Sequence, residues 1–431
     1  MLAALLGITA GVGALVGAAA ITDRQPLFLL AGLLAFCAVY LLGLLLATHG
    51  ISPPRKRHVR VVLFCAGTTV LVVAFTWTAL LPLGDPRLPP APVEGQRFWE
   101  LSTSSRIAYV RVAGEADARE VPVMFLHGGP GVPDMKGDST YFGRLARDGF
   151  DVYVYDQVGR GRSSRLADPR DYTLARDVAD LKAIRRKIGA DKVILIGHSY
   201  GGALAAAYAA AHPEHVAKMV LSSPEDPSPS AGGASMLFRL TTEQKLGVYA
   251  LLVPPRPLLA YTLLQVNLEA AHAFAGDPEL DARFDRVYDR TRPALHCRGK
   301  LPGPILYGLG FYAHYYQQSA TSPPHADFLS DLAGRRTPTL IVKGRCDYLS
   351  WSSAVEYLGR CPARGSSTCR SQGTTPTRTS QSSTWPTCER SCSTEPRPRP
   401  RTRDVVRPTT TGGHHEHGRN GMFMLRLRYR K

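Results

Sequence analysis

The apolar and polar positions divide the chain into three parts, and the first part holds three long uncharged stretches. Residues 2–21, 27–47 and 61–83 contain no charged side chain and are rich in Leu, Val, Ala and Gly. About 20 apolar residues cross a bilayer, and only a helix satisfies its own backbone hydrogen bonds there. The pattern therefore predicts three membrane-spanning helices within residues 1–83. For the first stretch a signal peptide is the alternative reading, but it has no basic n-region and no clear small-residue cleavage site.

The two short loops between these stretches differ in charge. The loop between the second and third stretches carries four basic residues (Arg55, Lys56, Arg57 and Arg60), whereas the first loop carries only Arg24. Basic loops remain in the cytoplasm. We therefore predict a multi-pass membrane protein with a cytoplasmic N-terminus and an extracytoplasmic location for everything after the third helix. Residues 84–96 are Pro-rich and are predicted to form a stiff linker.

The second part, from about residue 97 to residue 359, alternates short apolar runs with amphipathic stretches. Strands are predicted at 106–112, 121–126, 152–155, 193–196, 216–221 and 339–342, and helices at 141–147, 173–188 and 203–211. This alternation indicates an α/β fold with a mainly parallel sheet and right-handed crossovers. Between about residues 224 and 334 the pattern changes to helical stretches rich in Leu, Tyr and Ala, which we interpret as a helical cap inserted over the sheet.

The third part carries most of the net charge of +17. Residues 360–431 contribute +11 and residues 1–60 contribute +4, so the middle of the chain is nearly neutral and no nucleic-acid partner is expected. Residues 360–412 are rich in Arg, Ser, Thr and Pro without apolar periodicity, which predicts a disordered tail. His414, His415 and His417 have no matching ligand spacing elsewhere, so we predict no metal site.

The residues best suited to catalysis follow the predicted strand at 193–196. Gly197-His198-Ser199-Tyr200-Gly201 fits G-x-S-x-G and opens a helix of small residues. A nucleophile elbow needs this strand–turn–helix arrangement, because flanking glycines permit a turn that raises the Ser hydroxyl above the sheet edge. Ser199 is therefore the candidate nucleophile, and the N–H of Tyr200 is a candidate oxyanion donor.

Two further motifs lie at the ends of other predicted strands. His127-Gly128-Gly129-Pro130-Gly131 directly follows the strand at 121–126, where backbone N–H groups of glycines can turn toward an oxyanion. Asp347 follows the strand at 339–342, where a triad acid is expected after a cap. A plain Gly-Pro turn and a surface-turn aspartate are the alternatives. His127, Asp156 and Arg160 are interpreted as structural residues.

Four motifs together resemble the α/β-hydrolase superfamily and, within it, the proline iminopeptidases: HGGPG at 127–131, DQVGRGRS at 156–163, GHSYGG at 197–202 and GRCDYL at 344–349. The resemblance covers roughly residues 97–359. It implies a nucleophile at Ser199, a triad acid at Asp347, an oxyanion hole from Gly129 and Tyr200, to which we add Gly128, and no cofactor.

The resemblance also bears on the substrate. Family members usually release an N-terminal residue, often proline, and the wider family contains esterases and amidases, so a small peptide, amide or ester is expected. Two features depart from the peptidases. Tyr200 stands where they usually have Trp, and the cap acids Glu243, Glu269 and Glu279 match no amine-binding motif.

The triad implied by this resemblance lacks its base, since no His follows Asp347 before His414. Reverse translation from Arg360 in a shifted frame, with GC-leaning synonymous codons, gives an apolar strand, a Gly-His loop and an amphipathic helix. The restored His would fall about 26 residues after Asp347, a plausible reach in this fold. We therefore predict that residues 360–431 are a frameshift product and that the chain as written is nearly inactive. A hydrolase-like module that binds a ligand without catalysis is the alternative.

Overall fold

The computed structural model describes residues 2–49, 54–82, 91–115, 118–129, 131–226, 236–295, 305–318, 328–333, 335, 337–344 and 347–360. Three predicted features lie outside these residues: the tail from residue 361 onward, the histidines at 414, 415 and 417 for which no metal site is predicted, and the first part of the linker. Pro130 of the HGGPG motif lies outside them as well.

Helices form at all three uncharged stretches. They are α1 (Leu2–Ala19), α2 (Gln25–Thr48) and α3 (Pro54–Phe75), the last continued by a π-helical turn (Thr76–Leu80). Within them, Gln25–Ala47 and His58–Leu80 are each long and apolar enough to cross a membrane. Helix α1 is apolar but ends at Ala19, two residues before the predicted segment ends.

Glycines set the contact between α1 and α2. A Cβ added to Gly11 would lie 3.0 Å from the carbonyl oxygen of Gly32, and one added to Gly32 would lie 2.9 Å from the carbonyl oxygen of Gly11. The two backbones therefore touch where neither residue has a side chain. Small residues at the contact are typical of helix pairs packed inside a bilayer.

A seven-stranded mixed sheet forms the centre of the remaining chain. Its strands are β1 (Arg97–Glu100), β2 (Arg106–Val112), β3 (Val123–Leu126), β4 (Val152–Tyr155), β5 (Val193–His198), β6 (Val216–Ser222) and β7 (Thr339–Val342), in the order β1-β2-β4-β3-β5-β6-β7. The five strands β4, β3, β5, β6 and β7 are parallel, whereas β1 and β2 are antiparallel. All six predicted strands are confirmed, and β1 is an addition.

Helices cover the sheet on both faces. In chain order they are α4 (Met135–Phe142), α5 (Leu174–Lys187), α6 (Tyr200–Ala211), α7 (Thr242–Leu252), α8 (Pro255–Val266), α9 (Leu268–Phe274), α10 (Asp277–Leu295), α11 (Phe311–Gln318), α12 (Phe328–Leu332) and α13 (Trp351–Arg360). Helices α7 to α12 lie between β6 and β7, at the position of the predicted cap. Every residue of β3 and β4 is buried, as expected for parallel strands covered on both faces.

Two helices show how local sequence fixes their limits. The side chain of Thr173 accepts the N–H of Arg176 and caps α5, whose apolar face buries Leu181 and Ile184 completely. Helix α4 begins six residues before the predicted helix at 141–147, because Asp134 caps it by accepting the N–H of Gly137. The predicted stretch is the end of α4 followed by a 3₁₀ turn (Gly143–Asp148).

Candidate active site

Ser199 occupies a strained turn between β5 and α6. Its backbone has φ 51° and ψ −118°, a combination that costs energy for any residue with a side chain. The flanking glycines are required by contact: a Cβ on Gly197 would lie 2.1 Å from the carbonyl oxygen of Gly201, and a Cβ on Gly201 would lie 2.1 Å from that of Leu126. The structure thus forms the strand–turn–helix expected of the G-x-S-x-G motif.

The glycine loop after β3 lies against this turn. Strand register pairs Leu126 with Gly197, which brings the two strand ends together. A Cβ on Gly128 would lie 3.1 Å from the Cβ of Ser199, and Gly129 has φ +138°, which favours glycine. Tyr200 is the first residue of α6, so its N–H points out of the helical hydrogen-bond ladder. Gly128 and Tyr200 therefore lie beside Ser199, and Gly129 follows Gly128 in the same loop.

His127 holds the glycine loop in place. Its Nδ1 donates to the carbonyl oxygen of Gly128 at 2.8 Å, and its Nε2 accepts the N–H of Gln157 at 3.1 Å. The side-chain amide of Gln157 in turn donates to the carbonyl oxygen of His127 at 3.0 Å. Burial lowers the pKa of His127 to about 3, so the ring stays neutral. These contacts agree with a structural role for this histidine.

Replacing His127 with Gln is expected to flatten part of the acid dependence of stability. The unfolded chain protonates this His below about pH 6.5, whereas the folded chain does so only near pH 3. Above pH 6.5 the ring is neutral in both states and does not change the free energy of unfolding with pH. Below pH 6.5 the unfolded chain takes up a proton that the folded chain does not, so the free energy of unfolding falls. The unfolding free energy of the parent should drop relative to His127→Gln by about 1.4 kcal/mol per pH unit in that window.

Denaturant unfolding of both proteins between pH 7 and pH 4 measures this difference. His215→Gln, at a ring that is partly exposed, controls for the substitution itself. A difference between parent and His127→Gln that does not change with pH would contradict the neutral buried ring.

Asp347 follows β7 and has a partner that the sequence did not predict. One carboxylate oxygen accepts the N–H of Leu349 at 2.9 Å, and the other lies 2.7 Å from Nζ of Lys343. The side chains of Lys343 and Asp347 are only 4% and 1% exposed. Burial lowers the pKa of Lys343, and the Asp347 carboxylate opposes that shift. In the sequence, the only indication of this ion pair was a Lys four residues before the candidate acid.

His198 lies close to this ion pair. Burial lowers the pKa of His198 to about 4, and the charge of Asp347 opposes the shift. Its Nδ1 lies 3.4 Å from the hydroxyl of Ser222. The hydrogen bonds described for His127 and His198 thus go to groups other than the hydroxyl of Ser199. The His of the shifted frame is not a residue of this chain.

A buried polar network supports the start of α6. The hydroxyl of Tyr200 donates to Asp177 at 2.6 Å, and the amide of Gln317 donates to the same carboxylate oxygen at 2.9 Å. Arg160, which is fully buried, lies 3.3 Å from that carboxylate. The hydroxyl of Tyr200 is therefore tied to this network. None of these pairings was predicted from the sequence, in which the available signal was Asp177, an acid among the apolar positions of α5.

The cap acids singled out in the sequence serve as internal ion-pair partners or lie at a helix start. Glu279 forms a bidentate pair with Arg256 at 2.6 and 2.7 Å, and Glu269 pairs with Arg170. Glu243 lies in the first turn of α7. The contacts of Glu279 and Glu269 are thus with arginines of the chain itself.

Three other cap acids line a cavity of about 230 Å³ between α10 and the loop after β4: Asp277, Asp281 and Asp285. Arg165 and Tyr307 line the same cavity. Asp281 pairs with Arg165 at 2.7 Å, and Asp285 accepts the N–H groups of Gly308 and Leu309, each at 3.0 Å. Asp281 therefore attaches the cap to the loop after β4, whereas Asp285 holds the segment before α11 within the cap. Among the described residues, no group of three or more His, Cys, Asp or Glu is arranged to hold a metal ion.

Comparison with known proteins places this geometry in a family. Residues 121–357 match the alpha/beta hydrolase fold family. The proline iminopeptidase of Clostridium botulinum is 34% identical over 270 residues, which cover 59% of this chain and 83% of that protein. The proline iminopeptidase of Saccharolobus solfataricus is 41% identical over 102 residues, so the chain spans only 31% of that relative and the match covers 23% of this chain.

A similar solved structure is the proline iminopeptidase of Mycobacterium smegmatis. It has a TM-score of 0.41 and 19% sequence identity, and the match covers 63% of this chain and 89% of that one.

Proposed function

This chain belongs to the alpha/beta hydrolase fold family, and we propose that it is a membrane-anchored serine hydrolase of the proline iminopeptidase type. The observation that carries the proposal is the turn at Ser199, where strain and two side-chain-free neighbours, Gly197 and Gly201, raise a hydroxyl beside a glycine loop. The similarity to proline iminopeptidases supports an aminopeptidase that acts on small peptides or amides.

The reaction follows from this arrangement. The hydroxyl oxygen of Ser199 attacks the carbonyl carbon of the substrate amide, and its proton passes to a base. The N–H groups of Gly128 or Gly129 and of Tyr200 stabilise the oxyanion. The C–N bond then breaks, the base protonates the leaving amine, and water hydrolyses the acyl-enzyme. Asp347 orients the base.

The base is the His of the frame-restored sequence, and in the chain as written we propose that the triad is incomplete. Two observations support this proposal. No His occurs between Asp347 and His414. The carboxylate of Asp347 is paired with Lys343 in the described residues.

Substrate class tests the proposal. We expect the frame-restored chain to hydrolyse prolyl 4-nitroanilide, and Ser199→Ala to abolish that activity. Turnover of 4-nitrophenyl esters with no amide turnover would instead identify an esterase of the same fold. Undiminished turnover by Ser199→Ala would exclude this serine as the nucleophile.

Orientation gives a separate expected result. The basic loop before α3 predicts that the hydrolase domain lies outside the cytoplasm. Protease added to intact spheroplasts should therefore digest the domain. Digestion that requires permeabilised spheroplasts would reverse the topology, and a cytoplasmic marker protein controls for leakage.

A further inference from the structure

Two cap helices present an apolar outer surface. From Leu246 to Leu268 the sequence has a single charged residue, Arg256. Helices α7 and α8 bend by 75° within this region, and the segment Thr242–Val266 is here called the α7–α8 elbow. Its outer side chains include Leu246, Val253 and Leu258, which are 64%, 62% and 57% exposed. Exposed apolar side chains concentrated in one segment are typical of an interaction site.

The inner face of α8 packs in an apolar cluster shared by the hydrolase domain and the N-terminal helices. Leu259, Ala260, Leu263 and Leu264 are buried and pack into the main apolar cluster. Arg256 is buried and holds Glu279 of α10. One face of α8 is therefore packed on protein, and its opposite face is exposed.

Both ends of α8 are attached to the N-terminal helices. Near its start, Arg256 donates to the carbonyl oxygen of Leu80, at the end of the π-helical turn that continues α3. Just after its end, Asn267 donates from its side-chain amide at 2.9 Å to the carbonyl oxygen of Ala19, the last residue of α1. Helix α8 therefore runs across the ends of two apolar helices that emerge on the same side.

A tryptophan marks the level of these helix ends. Trp77 is 71% exposed and lies three residues before Leu80. Exposed Trp is enriched where membrane helices meet the aqueous phase. The attachment of Arg256 to Leu80 places the start of α8 within about one helical turn, roughly 5 Å, of this level.

We propose that the α7–α8 elbow rests on the lipid leaflet in which α3 ends and inserts its exposed apolar side chains among the lipids. The attachment of α8 to the membrane helices identifies lipid as the occupant, because both ends of α8 are bonded to residues at which those helices end. Helices of this kind bury their apolar face about 5–10 Å into the boundary between headgroups and acyl chains. The proposal rests on the membrane anchoring proposed above.

Photo-crosslinking of the full chain in lipid nanodiscs tests the contact. The photoreactive residue p-benzoylphenylalanine replaces Val253 or Leu258 in separate proteins, and the nanodiscs contain phosphatidylcholine with tritiated acyl chains. Two matched positions serve as controls. Leu42 is an exposed residue of α2. Asp191 is an exposed residue just before the start of β5, at the other end of this strand from Ser199.

We expect positions 253 and 258 to take up several-fold more tritium than position 191 and to approach position 42. Label at position 42 with none above the position-191 level at 253 and 258 would overturn the docking and leave the anchoring intact. Absence of label at position 42 would refute the anchoring and the docking together. Covalent dimers of the chain at 253 or 258 in place of lipid adducts would assign the surface to a second copy and overturn the proposal.

Discussion

A chain whose reading frame is restored after Gly359 is expected to hydrolyse its substrate about 10⁴- to 10⁶-fold faster than the 431-residue chain. The reason is the base. Without a His, the proton of the Ser199 hydroxyl has no acceptor of suitable pKa, and the oxyanion donors alone give only residual catalysis. Of the histidines in the two motifs at this site, His127 is buried and His198 is partly buried, and their described hydrogen bonds go to groups other than this hydroxyl.

A fluorophosphonate probe and the DNA sequence measure this prediction together. The frame-restored chain should label rapidly, the 431-residue chain should label very slowly, and Ser199→Ala should block labelling in both. Codons after Gly359 that do not encode a strand, a His and a helix in the shifted frame would refute the frameshift. Full activity of the 431-residue chain that is lost on changing His414, His415 or His417 would refute it as well.

The sheet could be predicted because its central strands are buried on both faces. Such strands appear as continuous apolar runs, and Val152–Tyr155 begins and ends where the sequence indicated. The same holds for Thr339–Val342, the last strand in the sheet order, which also is an apolar run. Strand β1 escaped prediction because Arg97–Glu100 has two charged residues in four and lies at the sheet edge. The start of α4 escaped it because its first turns are polar and contain Gly137, so no apolar period marks them.

The part of the candidate site around Ser199 could be predicted because it depends on residues that are close in sequence. The Ser199 turn depends on neighbouring glycines, and neighbouring residues are visible in sequence. The partners of Asp177 are not, because Gln317 is 140 residues away and approaches only when α11 packs on α5. The Lys343–Asp347 pair was missed for another reason: both residues are close in sequence, but only burial turns their charges into an obligatory pair.

Replacing Lys343 with Met is expected to destabilise the folded chain by about 3–5 kcal/mol, because it leaves the charge of Asp347 buried without a partner. That is a large fraction of the ~5–15 kcal/mol that holds a typical domain folded. Denaturant unfolding of the detergent-solubilised chain measures the change. The control is Arg111→Met, at an exposed ion pair with Asp151, which should cost at most about 1 kcal/mol.

A second substitution separates loss of the charge partner from loss of packing. Asp347→Asn removes the carboxylate charge and keeps an oxygen that can accept the N–H of Leu349. The double variant Lys343→Met with Asp347→Asn carries neither charge of this pair. Its stability should therefore recover to within about 1–2 kcal/mol of the parent. If Lys343→Met costs no more than Arg111→Met, or if the double variant is as unstable as the single one, the ion pair is not what the fold requires at the end of β7. Recovery of stability in the double variant would show that Lys343 acts as the counter-charge of Asp347, the proposed triad acid. In the frame-restored chain, the proposed His would be a second partner of this carboxylate.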